Sequence, residues 1–128
     1  MIEVHGEQVR LTLPTTPHLL RVARLTAAGL AGRLGCSFDE IEDVKIAVDE
    51  LCFALVGSRG REGSLTLLYT LDLGVLVIDG TATYDSAPPE LAPTELSSQI
   101  LAAVVDEHEL SGDGHGLRFR LVKRRVEG

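Results

Sequence analysis

The stretch Val44–Gly57, VKIAVDELCFALVG, decides the fold and raises the question of function. Val44, Val48, Leu51, Cys52 and Leu55 recur at steps of three and four, the spacing of one buried helix face. Asp49 and Glu50 interrupt that run with two carboxylates. A carboxylate beside a core is costly unless it has a partner or a task. Residues four apart share a helix face, so position 54 looks the same way as Glu50. That residue is Ala54, whose side chain has no oxygen or nitrogen to offer.

Upstream, SFDE (Ser37–Glu40) is a capping box: the serine caps the helix and the glutamate three residues on reaches back. Asp39, Glu40, Glu42 and Asp43 crowd the helix start and complement its dipole. Phe38 and Ile41 extend the apolar stripe. Before it, TTPHLLRVARLTAAGLAGRLG predicts another helix, with Thr16 as N-cap, Pro17 at the first helical position and Gly35 as the stop. Leu20, Ala23, Ala27, Leu30 and Leu34 give its apolar line. QVRLTL (Gln8–Leu13) alternates as a half-buried strand.

Downstream, GSRGREG is a glycine-rich polar loop. SLTLLYTL and VLVIDGTATY read as two strands turning at DLG, and DSAPPELAP as a proline-rich loop. TELSSQILAAVVDEH predicts a third helix capped at Thr94 or Pro93, with Leu96, Ile100, Ala103 and Val104 on its apolar side. EHELS and LRFRLVKRR then form a hairpin around the turn formers GDGHG. The order β-α-α-β-β-α-β-β does not alternate singly, which disfavours a doubly wound parallel sheet. It predicts a two-layer α/β (α+β) sandwich: a mixed, largely antiparallel sheet with three helices on one face.

With 128 residues the chain reads as a single domain, residues 1–128, large enough for one core. Trp is absent and aromatic residues make up 4%, so Leu, Val, Ile and Ala must build that core. The formal net charge of −7 repels phosphate backbones and argues against direct nucleic-acid binding, with VKRR a solvated strand end. Cys36 and Cys52 form no CxxC pair and no His cluster accompanies them, so no zinc site is expected and a reducing cytoplasm fits. The first residues lack a signal-peptide pattern, and no apolar run reaches membrane-spanning length. The four histidines, Ser97 and Ser98 read as ordinary polar residues.

The element order, FDEIEDVKIAVDEL (Phe38–Leu51) and the closing LRFRLVK together resemble the anti-sigma factor serine kinases of the GHKL (Bergerat-fold, histidine kinase-like) ATPase superfamily. In that family the helix carries E-x-x-x-N: the glutamate activates a hydroxyl or water, and the asparagine holds Mg²⁺ on the nucleotide. Glu50 matches the glutamate, and Ala54 replaces the asparagine. The resemblance assigns Asp79 to adenine contact, although DGTATYD lacks the spaced glycines of D-x-G-x-G, and TELSSQIL lacks the glycine-rich phosphate turn. Glu50 also reads as a solvated or paired carboxylate, and Asp79 as an Asp-Gly turn residue.

Counting back from Glu50 without gaps, Arg24 falls where similar anti-sigma factors place the arginine that contacts both sigma factor and STAS-fold antagonist. Arg21 shares that reading, and both also read as solvent-facing helix arginines. The resemblance therefore implies a cytoplasmic anti-sigma-like regulator binding a sigma factor, a STAS anti-anti-sigma protein, or both, with nucleotide binding weakened or lost and no cofactor or metal. The alternative it implies is an active Mg-ATP-dependent serine/threonine kinase of the STAS partner. Family members commonly pair as homodimers.

Overall fold

The computed structural model describes residues 6–57, 62–86, 94–113 and 116–126. The expected loops around residues 58–61, 87–93 and 114–115 lie in large part outside the described residues. Strand β1 (Glu7–Pro14) leads into helices α1 (Leu20–Leu34) and α2 (Phe38–Val56), the hairpin β2 (Gly63–Asp72) and β3 (Val75–Tyr84), helix α3 (Glu95–Val104), and the hairpin β4 (Glu107–Gly112) and β5 (Gly116–Arg124). The sheet order is β1-β2-β3-β5-β4, and each neighbouring pair is antiparallel. The two-layer sandwich forms as expected, with every described pairing antiparallel.

Period-two alternation gives the sheet one apolar face. Leu65, Leu67, Tyr69, Leu76, Ile78 and Leu121 are fully buried on it. Three side chains from that face tether the three helices. Tyr69 donates its hydroxyl to the Ala23 carbonyl of α1 at 2.9 Å. Tyr84 donates to the Leu55 carbonyl of α2, and Lys123 to the Val104 carbonyl of α3 at 2.8 Å. All three helices thus lie on one face, leaving the other open. Gly80 sits opposite Phe119 on the covered face, and a Cβ there would lie 2.3 Å from the Phe119 ring. The β2–β3 turn needs two left-handed residues, supplied by Leu73 (φ 49°) and Gly74 (φ 79°).

The SFDE capping box is complete: Glu40 N donates to Ser37 Oγ at 3.2 Å and Ser37 N to Glu40 Oε1 at 2.8 Å. Gly35 ends α1 in the left-handed region with φ 95°. Other local expectations change. Thr16 makes no side-chain cap; a 3-10 turn at Pro17–Leu19 intervenes, and α1 proper starts at Leu20. Phe38 is 75% exposed, because the first residue of α2 precedes its buried face. In α3 the buried residue is Leu101, whereas Leu96 is 66% exposed and Ala103 also faces out. A ten-residue helix with apolar side chains on several sides does not fix its own phase; packing against α2 does. The helix stops at Val104, where Val105 turns extended to start β4. No helix among the described residues is long and apolar enough to cross a membrane.

Candidate functional site

Consecutive helix residues project about 100° apart, so Asp49 and Glu50 leave α2 on opposite flanks. Asp49 turns to α1, where its Oδ2 accepts from Arg24 Nη1 at 3.1 Å. Glu50 turns to α3, where its Oε2 accepts from the Ser97 hydroxyl at 2.6 Å. Local sequence positions that serine. Thr94 caps α3 by accepting from Ser97 N at 3.0 Å, which sets the first turn and points Ser97 at α2.

Glu50 and Ser97 stand at the edge of a cavity of about 220 Å³ between α2, α3 and β4. Ala54, Ser98, His108 and Leu110 also line it. The opening question about Glu50 thus has a structural answer: its carboxylate is half-buried at a cavity edge and held by a hydroxyl from another helix.

Do these residues suit Mg²⁺ and a nucleotide? Among the described residues the cavity offers the Glu50 carboxylate, which accepts from Ser97, the hydroxyls of Ser97 and Ser98 and the His108 ring, with Ala54 contributing only a methyl one turn after Glu50. Mg²⁺ needs oxygen ligands in near-octahedral array. Among the described residues no group of three His, Cys, Asp or Glu side chains gathers to hold a metal. The cavity also falls below the 300–1,000 Å³ typical, roughly, of ligand pockets. The described residues do not fit the group.

Asp79 is not brought to Glu50. It projects from the open face of β3, opposite the face that carries the helices, so the sheet separates the two. There it pairs with Arg120, its register partner on β5, through Nε at 2.7 Å and Nη2 at 3.3 Å. Those hydrogen bonds hold the Arg120 guanidinium more firmly protonated than usual. Asp79, Glu109, Ser111, Arg118 and Arg120 border a shallow cleft of about 250 Å³ on this open face.

Arg24 is half-buried and occupied by Asp49, while Arg21 is exposed on α1. Cys52 is fully buried, which pushes its thiol up to about 12 and removes it as a nucleophile at neutral pH. Ser97 is the residue sequence reasoning missed. Its contact with Glu50 spans 47 positions, and only the Thr94-to-Ser97 capping distance marked it as oriented.

No protein-family model matches the chain. The serine-protein kinase RsbW of Bacillus cereus (strain ATCC 10987 / NRS 248) is 33% identical over 84 residues, covering 62% of this chain and 52% of the relative. That of Bacillus thuringiensis (strain Al Hakam) is 30% identical over 101 residues, covering 73% of this chain and 63% of the relative. The chain thus spans between half and two thirds of the length of these curated relatives. A crystal structure of the RsbU and RsbW domains of a Mycobacterium tuberculosis protein superposes with a TM-score of 0.71 at 18% identity, over 93% of this chain and 32% of that one. This likeness shows the fold.

Proposed function

We propose that this chain, a homologue of the RsbW serine-protein kinases, is a binding regulator of the partner-switching type. It holds a sigma factor, a STAS-fold anti-anti-sigma protein, or both, in the cytoplasm, without turning over nucleotide. The observation that carries the reading is the pairing of Ala54 with a Glu50 already bonded to Ser97. A general base must reach the proton it removes, and here the base's near oxygen is taken by a serine of its own chain. Loss of a direct metal ligand costs more than the 10- to 100-fold attributed, roughly, to outer-shell changes.

Partner docking is assigned to the outer side of α1. Arg21 is exposed there, and Arg24 presents part of its guanidinium beside Asp49. The planar fork of arginine can bond a second carboxylate from a partner while keeping the first.

The test is a pull-down from the native cytoplasm with the full chain as bait, followed by incubation of the captured protein with Mg-ATP. Capture of a sigma factor or STAS protein, without phosphate transfer to it, is the expected result. The second reading, an active kinase, draws on the retained Glu50 carboxylate at a cavity and on the kinase name its relatives carry. Serine phosphorylation of a captured STAS protein would replace the first reading with the second.

A further inference from the structure

We propose that the outer face of the α1–α2 pair is a groove for one amphipathic α-helix of a protein partner, which aims an acidic side chain at Arg21. This deepens, and rests on, the reading that α1 docks the partner.

Two antiparallel helices lay out the face. Arg24 bonds Asp49 at 3.1 Å, and a Cβ on Gly32 would lie 3.8 Å from Ile41 Cδ1. Those two contacts run α1 and α2 in opposite directions and set Arg21 level with Phe53. On α1, Arg21, Leu25, Gly29 and Gly32 are all exposed. Their spacing of four, four and three draws one stripe along the helix, about 16 Å long at a rise of about 1.5 Å per residue. On α2, Ile46 and Phe53 are exposed and seven residues apart, two turns along the same side, with Asp49 between them.

The glycines point outside the chain. Gly29 and Gly32 both lie within α1, where glycine is less stable than alanine. Nothing internal requires them. A Cβ at Gly29 would meet no atom within 4 Å, and one at Gly32 only the ordinary contact with Ile41. Bare backbone on an exposed stripe instead allows the close approach of a second helix. The rest of the face supplies what an amphipathic helix needs. Leu25, Ile46 and Phe53 offer apolar contacts, and the two-turn interval between Ile46 and Phe53 matches the i, i+7 anchors of a helix lying in a groove. Arg21 has no carboxylate partner among the described residues, so its fork is open to an acid at the Phe53 end.

The experiment titrates the full chain, followed by NMR, with three stapled peptides of about five helical turns. The first carries leucines at i, i+3 and i+7 and a glutamate at i+11. The second has glutamine for that glutamate, and the third has the same residues in scrambled order. Expected are saturable shifts at Leu25, Gly29, Ile46 and Phe53 with the first peptide, at least threefold weaker binding of the second, and none of the third. Arg21→Ala should bind the first two alike. The paired variant Gly29→Ala, Gly32→Ala should raise the melting temperature yet weaken the first peptide at least tenfold. No saturable binding at this face, equal binding of the scrambled peptide, or undiminished binding by the glycine variant overturns the proposal. A lowered melting temperature in that variant makes the glycines structural and overturns it too. Self-association of the free chain in ultracentrifugation, abolished by the glycine variant, overturns the partner helix in favour of a second copy. Capture of a sigma factor or STAS protein that the glycine variant holds as tightly as wild type overturns this proposal and spares the functional reading. Peptide binding as expected, together with phosphate transfer to a captured STAS protein, overturns the functional reading alone.

Discussion

Arg24 separates structural from recognition roles most cleanly. Its bond to Asp49 joins α1 to α2, but both side chains are partly exposed, at 37% and 45%. Such a pair contributes about 0.2–1 kcal/mol. Arg24→Ala should therefore lower the melting temperature by no more than a few degrees, yet cost about 1–3 kcal/mol of partner affinity if α1 docks a partner. Thermal melting and affinity for the captured protein, measured side by side, check this; unchanged affinity would move the partner off α1. Gly80 makes the opposite case, a residue with a purely internal role. A methyl group there would lie 2.3 Å from the Phe119 ring, within a fully packed face. Gly80→Ala should destabilise by about 1–3 kcal/mol, read by denaturant unfolding, because the ring must leave its rotamer or the strands must separate.

At the scale of an element, α2 is held at its start by one glutamate with two duties. Glu40 accepts from Ser37 N through Oε1 and from Val126 N through Oε2 at 2.7 Å, so it closes the capping box and ties down the chain after β5. Ser37→Ala should cost about 1 kcal/mol, measured by urea unfolding. The two backbone donors hold the Glu40 carboxyl below its usual range. A carboxyl depressed in the folded state stabilises fully above its unfolded value, about 4.3, and loses that contribution as pH falls through the folded value. The melting-temperature gap between wild type and Glu40→Gln should accordingly be widest near neutrality and close on acidification below about pH 4. A gap that widens in acid would contradict the assignment. The box was legible in SFDE because capping is a local hydrogen-bond exchange. The phase of α3 was not legible: which of Leu96, Ile100 and Leu101 faces inward is set by α2, not by its own residues.

For the whole molecule, calorimetry of Mg-ATP against the full chain should show weak or undetectable binding. Ala54→Asn alone should not restore it, since Ser97 would still engage Glu50 and TELSSQIL would still lack a glycine turn. Micromolar affinity in the wild type would return the molecule to the kinase reading. Element order, strand alternation, the box at Ser37 and the stop at Gly35 were determined by the sequence itself, because each depends on residues within a turn or two. The departure at Ala54 was legible for the same reason, since i and i+4 share a face whatever surrounds the helix. Tertiary structure alone decided which cross-strand or cross-helix partner each charged residue meets. Strand pairing put Asp79 beside Arg120 on the open face, away from Glu50, whereas the family resemblance had implied an adenine contact for it. Only the tertiary structure brought Ser97 to Glu50 across 47 positions, and Asp49 rather than solvent to Arg24. The reason is physical: capping and periodicity are properties of neighbouring residues, whereas a side chain's partner depends on how the helices dock on the sheet, which no local pattern encodes.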